Sequence, residues 1–162
     1  MKTLLILRHA KSSWKDEGVL DHDRPLNKRG KRDAPRVGEL LLHQGLIPDL
    51  IVSSTAKRAR STAKRVAKAC RYAGEIQLTS QFYHAPAGSY IEYLNHLPDE
   101  YSRVMVVGHN PGMEELVARL GQNCTMPTAA LANLSLPIDC WSELDGATEG
   151  RLVQVWYPRD LS

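Results

Sequence analysis

The sequence predicts an α/β fold, a three-layer sandwich whose mainly parallel central sheet has helices on both faces. Residues 4–7 and 104–107 are apolar runs too short for helices, and such runs are typical of strands that are buried on both faces. Segments with apolar residues at helical spacing separate these runs. This alternation of strand and helix implies right-handed crossovers and therefore parallel neighbouring strands.

The first strand, residues 4–7, leads into a polar, irregular loop over residues 12–24. A helix follows, with Asn27 as a suitable N-cap and Gly45 as a C-terminal stop. Pro35 lies inside this helix and predicts that the helix bends or restarts there, because proline lacks the N–H that the helix needs.

Residues 49–53 form the second predicted strand, and residues 56–73 form a helix with one apolar and one basic face. The basic face, called the basic stripe below, consists of Lys57, Arg60, Lys64, Lys68 and Arg71. A solvated surface is its favoured interpretation, and a docking surface for a phosphoprotein or nucleic acid is the alternative. Arg58 lies in the first turn, where a cation opposes the helix dipole, and it is better explained by a bound anion.

The second half of the chain continues the alternation. Residues 76–79 predict a weak third strand, residues 82–88 a loop, and the apolar spacing after them a short helix that ends near Pro98. Residues 129–136 and 152–157 predict two more strands, which are expected to be antiparallel neighbours.

Residues 103–107 repeat the opening pattern, because this apolar strand also ends in a histidine, His109. Asn110 is a suitable cap for the next helix, and Pro111 fits its first turn. The carboxyl ends of parallel strands meet at one edge of a sheet, which is the usual place for a ligand. Three such ends gather the side chains that suit a multiply charged oxyanion such as phosphate: Arg8, His9, Ser53, Ser54, Arg58 and His109.

Composition limits the function classes. A length of 162 residues predicts a single domain, residues 1–162, and no apolar run is long enough for a membrane span. The start of the chain lacks a signal-peptide pattern and the three cysteines lack a Cys-x-x-Cys, so we expect a cytoplasmic protein without a zinc site. The net charge of +3 mildly favours acidic partners, and neither nucleic acid nor a membrane is expected as a partner. Residues 21–23, Asp-His-Asp, are interpreted as a solvated turn in preference to a metal site.

Four segments resemble the signature segments of the histidine phosphatase (phosphoglycerate mutase-like) superfamily, in its order and at its spacing. They are Leu-Arg-His-Ala at residues 7–10, Arg-Pro-Leu-Asn-x-x-Gly at 24–30, Ser-Ser-Thr-Ala-Lys-Arg-Ala at 53–59 and Val-Gly-His-Asn-Pro at 107–111. The short chain and the run Arg-His-Ala-Lys-Ser-Ser-Trp at residues 8–14 are most similar to the phosphohistidine phosphatase SixA branch.

The resemblance implies a phosphoglycerate mutase-like fold in which His9 attacks phosphorus and forms a phosphohistidine that water then resolves. Arg8, Arg58 and His109 would form the phosphate pocket. No metal or other cofactor is expected, because the arginines would neutralise the phosphate charge. The expected partner is a phosphorylated protein or a small phosphate compound.

The departures from the family pattern bear on the substrate. Lys15 stands where a phosphate-contacting Asn is often found, so Ser12 or Ser13 is expected to substitute for it. Members that act on sugar or alcohol phosphates supply a Glu or Asp as general acid, whereas the corresponding loop here is Tyr-His-Ala at residues 83–85, with His84 interpreted as a surface residue. An imidazole leaving group needs a proton much less than an alkoxide does. The sequence therefore predicts a phosphohistidine phosphatase. A phosphatase of a small phosphomonoester and a catalytically dead phosphoprotein-binding module are the alternatives.

Overall fold

The computed structural model describes residues 1–161, which form a six-stranded mixed sheet covered by helices on both faces. The strands are β1 (Lys2–Arg8), β2 (Leu50–Ser54), β3 (Ile76–Thr79), β4 (Arg103–Gly108), β5 (Leu131–Leu136) and β6 (Arg151–Trp156). The helices are α1 (Lys28–His43), α2 (Lys57–Cys70), α3 (Ala87–Asn95) and α4 (Gly112–Leu120). The predicted three-layer α/β class is confirmed.

The order of the strands in the sheet is β3-β2-β4-β1-β5-β6. The first four of these are parallel to one another, whereas β5 is antiparallel to β1 and β6 is antiparallel to β5. The register of the central pair aligns Arg8 of β1 with Gly108 of β4. His9 and His109 are the next residues along these two neighbouring strands, so the pairing delivers both imidazoles to the same edge of the sheet.

Strand β1 is buried on both faces, as its apolar run predicts. Leu4 and Ile6 pack with α3 and α4 in one half of the core, while Leu5 and Leu7 pack with α1 and α2 in the other. All four side chains are fully buried. Successive side chains of a strand point to opposite faces, so this one segment anchors both halves of the core and fixes the position of its C-terminal end.

Helix α1 excludes one of the two outcomes predicted at Pro35, because it runs through this residue without a restart. The carbonyl that loses its hydrogen bond to the proline position is that of Lys31, an exposed residue, so water can satisfy it. The predicted N-cap is confirmed, since the side chain of Asn27 accepts a hydrogen bond from the backbone N–H of Gly30.

The start of α4 also differs from the prediction. The helix begins at Gly112, so Pro111 precedes its first turn. Asn110 still contributes to the helix start, because its side-chain oxygen accepts the backbone N–H of Glu114 at 3.3 Å. Within residues 1–161, no helix has the length and apolar character needed to cross a bilayer.

Candidate active site

A cavity of about 290 Å³ opens at the edge where β1, β2 and β4 end. Its lining combines five of the predicted site residues with other residues of the loop between β1 and α1 and of the loops before α3, α4 and β5. The lining residues are Arg8, His9, Lys11, Ser12, Trp14, Asp21, Arg24, Arg58, His84, His109, Asn110 and Thr128. The structure thus brings together the two histidines and the two arginines that lie far apart in the sequence.

His9 is held in one tautomer by its own backbone neighbour. Its Nδ1 lies 2.8 Å from the carbonyl oxygen of Ala10, and a carbonyl can only accept a hydrogen bond. Nδ1 therefore carries the ring proton, and Nε2 has the free lone pair that a nucleophile needs. The N–H of Ala10 in turn donates to the hydroxyl of Thr62 on α2, which fixes the end of β1 against that helix.

The environment of His9 keeps its imidazole neutral. Burial is the main cause that lowers the pKa of His9 to about 3, and the positive charges of Arg58 and Arg8 lower it further, although the hydrogen bond to Ala10 acts in the opposite direction. A neutral imidazole near pH 7 is a competent nucleophile. The two arginines are therefore placed to bind an incoming anion, and they also help to keep the imidazole of His9 neutral.

His109 faces His9 across the cavity, with their ring centroids 5.1 Å apart. Its Nε2 lies 2.8 Å from the hydroxyl of Ser54, at the end of β2. Burial is the main cause that lowers the pKa of His109 to about 2; repulsion between the two rings when both are protonated and the charge of Arg58 lower it further. Among the described residues its Nδ1 has no hydrogen-bond partner although it is buried, so this atom is available to a ligand.

The two arginines carry further unused donors. Arg58 is 3% exposed and donates from Nη1 to the carbonyl of Asp21 at 2.7 Å and from Nη2 to its carboxylate at 3.0 Å. Arg8 donates from Nη1 to the carbonyl of Met126. The Nε atoms of both arginines are buried and find no partner in residues 1–161. Each guanidinium is thus held from one side and retains an N–H for an anion.

Asp21 is the functional residue that sequence reasoning missed. The predicted turn at residues 21–23 exists, but the carboxylate of Asp21 accepts hydrogen bonds from Arg24, Arg58 and Tyr83 and lies 3.2 Å from Nε2 of His84. Burial tends to raise the pKa of Asp21, but the hydrogen bonds from Tyr83, Arg58 and Arg24 outweigh it and hold this pKa well below its usual range. Asp21 is therefore an ionised carboxylate that fixes Arg58, and it is unsuited to donate a proton.

The two serines considered as phosphate contacts, Ser12 and Ser13, differ in their position relative to the cavity. Ser12 lines the cavity, and its hydroxyl accepts a hydrogen bond from Arg24 at 2.8 Å. Ser13 lies outside the cavity lining, and its hydroxyl accepts the backbone N–H of Lys15. The chain pairs locally with Leu26 at this point, and consecutive side chains of such extended backbone point to opposite sides. Of the two alternatives, the geometry favours Ser12 as the candidate for a phosphate contact.

The cavity mouth carries two exposed rings. His84 is exposed, as the sequence indicates, yet it lines the cavity with its ring centroid 6.0 Å from that of His109. The guanidinium of Arg24 lies 3.4 Å from the ring centroid of Trp14, which is 71% exposed. Arg24 belongs to the family-like segment at residues 24–30, and that resemblance is the signal that could have identified it as a site residue.

At two glycines beside the site, neighbouring atoms leave no room for a side chain. A Cβ on Gly30 would lie 2.2 Å from the carbonyl oxygen of Lys11, so α1 packs directly on the loop that lines the cavity. A Cβ on Gly108 would lie 2.2 Å from the hydroxyl of Tyr90.

Across residues 1–161, no group of three or more His, Cys, Asp or Glu side chains is placed to hold a metal ion.

We expect the two buried histidines to make stability fall as the pH drops from about 6.5 to 4.5. Their pKa values are lowered to about 3 for His9 and about 2 for His109, so in this window the unfolded chain binds protons that the folded protein does not. Each histidine should then lower the free energy of unfolding by about 1.4 kcal/mol per pH unit below its unfolded pKa. Urea unfolding at several pH values measures the slope.

The contributing residues can be identified by substitution. His9→Gln and His109→Gln should each remove about half of the slope, whereas His96→Gln, at the exposed C-terminal end of α3, should leave it unchanged. Equal slopes in the wild type and both cavity variants would show that the two histidines are not held neutral by the fold.

Residues 4–90 match the model of the histidine phosphatase superfamily (branch 1). An uncharacterized chloroplastic protein of Arabidopsis thaliana is 36% identical over 152 residues, which cover 88% of this chain and 70% of the relative. An uncharacterized protein of Mycobacterium tuberculosis is 39% identical over 107 residues, which cover 65% of this chain and 63% of the relative.

Two solved structures share the fold. The structure of a protein assigned as the phosphohistidine phosphatase SixA of Agrobacterium tumefaciens superposes with a TM-score of 0.83 and 30% identity, covering 97% of this chain and 98% of that one. The protein histidine phosphatase SixA in complex with tungstate gives a TM-score of 0.84, with 22% identity and 99% coverage of both chains. This second likeness shows the fold alone.

Proposed function

The chain belongs to the histidine phosphatase superfamily, and we propose that it removes phosphoryl groups from phosphohistidine on a protein, through a phosphohistidine intermediate on its own His9. The observation that carries the proposal is the pairing of a neutral His9, whose Nε2 is free, with unused buried donors around the same cavity. Those donor atoms are Nε of Arg8, Nε of Arg58 and Nδ1 of His109.

The first step transfers the phosphoryl group to the protein. Nε2 of His9 attacks phosphorus and forms a new P–N bond while the P–N bond of the substrate breaks. The substrate imidazole, whose other ring nitrogen is protonated near neutral pH, keeps the electron pair of that bond and leaves as a neutral ring. Arg8 and Arg58 are placed to bind the phosphoryl oxygens, whose negative charge they neutralise in the transition state. His109 can donate a further hydrogen bond to the phosphoryl group if Nδ1 carries its ring proton.

The second step restores the enzyme. Water attacks the phosphorus of the phosphorylated His9, the P–Nε2 bond breaks, and inorganic phosphate leaves with the oxygen of that water. Both protons of the water leave with the phosphate, and His9 regains a neutral ring whose Nδ1 keeps its proton and donates to the carbonyl of Ala10. Arginine side chains supply the positive charge for both steps, and we propose that turnover needs no metal ion.

The substrate class follows from the ionisation of Asp21. Asp21 is the carboxyl group that lines the cavity, and the low pKa caused by its hydrogen bonds leaves it without a proton to give. An alcohol leaves as a strongly basic alkoxide unless an acid protonates it, whereas an imidazole takes up a proton near neutral pH, at a pKa of about 6.5. The site therefore favours P–N over P–O substrates.

A turnover assay tests this assignment. We expect kcat/KM in the presence of a metal chelator to be highest for a phosphohistidine peptide, lower by about tenfold or more for an aryl phosphate, and lowest for an alkyl phosphate. Equal or faster turnover of the alkyl phosphate would favour a small phosphomonoester as substrate. Binding of all three compounds without turnover would favour the phosphoprotein-binding module.

A further inference from the structure

The charge of the molecule is divided between its two faces. Residues 28–71, which contain α1 and α2, include 12 lysines and arginines but only 3 aspartates and glutamates. Residues 72–161, which contain α3 and α4, include only 4 lysines and arginines but 11 aspartates and glutamates. Because these helix pairs pack on opposite faces of the sheet, one face of the protein is basic and the other is acidic.

The basic stripe on α2, defined above, carries most of the charge on the basic face that no acidic side chain neutralises. Lys57, Lys64, Lys68 and Arg71 are exposed and Arg60 is half-buried. In the part of the chain that the structure describes, none of them forms a salt bridge.

Helix α1 provides the contrast. Three of its arginines lie within 3.5 to 3.9 Å of the buried carboxylate of Asp33, so part of its charge is neutralised. They are Arg29, Arg32 and Arg36. The positive charge that remains free on this face is therefore concentrated on α2.

The stripe does not serve the stability of its own helix. Its successive members are three or four residues apart, which places like charges next to one another along α2. Lys57 is the first residue of the helix, where a positive charge opposes the helix dipole, and α2 contains no acidic residue. Only Lys68 and Arg71, at the C-terminal end of α2, carry charges that suit the helix dipole, so the stripe as a whole is better explained by binding than by helix stability.

The stripe leads away from the catalytic cavity. Arg58, in the first turn of α2, lines that cavity. From this turn the stripe extends along the helix for about 20 Å, at a rise of 1.5 Å per residue. A shallow recess of about 230 Å³ lies on α2 between Ser61 and Lys68. A second recess, of about 420 Å³, lies between α1 and α2, where Pro35 faces Arg65 and Lys68.

We propose that the basic stripe is a docking surface for an acidic segment of the protein that carries the phosphohistidine. This inference rests on the proposed function, because Arg58 in the first turn of α2 lines the cavity and the stripe therefore begins beside the place where the phosphohistidine would bind. A protein is favoured over nucleic acid because residues 57–71 contain no aromatic side chain on which bases could stack. The docked segment holds the substrate by charge complementarity and lowers KM while leaving the chemistry at His9 unchanged.

Two synthetic phosphohistidine peptides of equal length test the inference. One carries six glutamates on one side of the phosphohistidine, enough to span about 20 Å when extended, and the other carries glutamines there. For the wild-type protein at low ionic strength we expect kcat/KM to be about tenfold higher for the glutamate peptide, through a lower KM, and the difference to shrink as salt is added.

Charge reversal locates the effect on the stripe. Lys64→Glu/Lys68→Glu should abolish the preference for the glutamate peptide while turnover of phosphoramidate stays within twofold. Arg119→Glu/Arg151→Glu changes the net charge equally at exposed positions outside the basic face and should keep the preference. Equal kcat/KM for the two peptides in the wild type, or a preference that survives Lys64→Glu/Lys68→Glu, would overturn the inference.

Two further outcomes separate the inference from its premise. If neither peptide is hydrolysed, the proposed function fails, and fluorescence anisotropy of the same peptides still shows whether the stripe binds the acidic one. Stronger inhibition by a 20-nucleotide single-stranded DNA than by the unphosphorylated glutamate peptide would overturn the assignment to a protein partner.

Discussion

Replacing His9 with alanine is expected to abolish turnover, with kcat lowered by at least about 10⁴-fold. The substitution removes the Nε2 lone pair that forms the covalent intermediate, and none of the other groups around the cavity can substitute for it. His109 engages Ser54 through Nε2 and is proposed to bind the phosphoryl group through Nδ1, and the ring of His84 lies at the exposed mouth. Steady-state hydrolysis of the phosphohistidine peptide and of an aryl phosphate measures the loss.

Two controls accompany this variant. His96→Ala changes a histidine that bonds to the backbone of its own helix, at the carbonyl of Glu92, and it should retain full activity. Thermal unfolding of His9→Ala at pH 7 should show a folded protein, so that inactivity cannot be ascribed to loss of structure. Full activity of a folded His9→Ala protein would refute the assignment of the nucleophile.

Arg58→Ala is expected to lower kcat/KM by about 10³-fold, the size of effect seen when a preorganised donor to a transition-state oxyanion is removed. The variant loses a buried donor in the cavity and also leaves the ionised Asp21 without its main cation. That carboxylate would then repel the phosphoryl group. Arg119→Ala, an exposed arginine outside the cavity lining, is the matched control and should change kcat/KM by less than twofold.

A double-mutant cycle separates these two effects. Asp21→Asn in the Arg58→Ala background removes the negative charge that Arg58 no longer neutralises and should recover about tenfold of the lost kcat/KM. In the wild-type background the same substitution should reduce kcat/KM, because Arg58 loses the carboxylate that holds it. Additive losses in the double variant would show that Asp21 does not act through Arg58.

Much of the site could be predicted because it depends on strands. His9 and His109 each follow an apolar run that can only be a buried strand, and parallel pairing of those strands necessarily brings their ends together. Arg58 was identifiable because a cation in the first turn of a helix opposes the helix dipole and needs another explanation. These inferences rest on local pattern and on the rules of sheet topology.

The role of Asp21 could not be predicted, because it comes from the irregular loop at residues 12–24. The path of that loop depends on tertiary contacts, such as the hydrogen bonds from Arg24 to Ser12 and from Tyr83 to Asp21. No periodicity marks such contacts in a sequence. The loop pattern correctly predicted a turn at residues 21–23 but contained no information about the direction of the Asp21 side chain.

The sequence could not decide between a bend and a restart of α1 at Pro35, for a related reason. Proline destabilises a helix interior locally, but tertiary packing can outweigh that local preference. Ala34, Val37 and Leu41 of α1 are buried in the core half that α1 shares with α2, and this packing keeps one continuous helix.

Trapping the phosphorylated enzyme tests the central claim most directly. After rapid mixing with the phosphohistidine peptide and alkaline quenching, peptide mapping by mass spectrometry should find one phosphoryl group on His9, stable in alkali and lost in acid. The same experiment with Arg58→Ala should show slower formation of that species. Phosphate found on another residue, or turnover without any phosphorylated protein, would contradict the account.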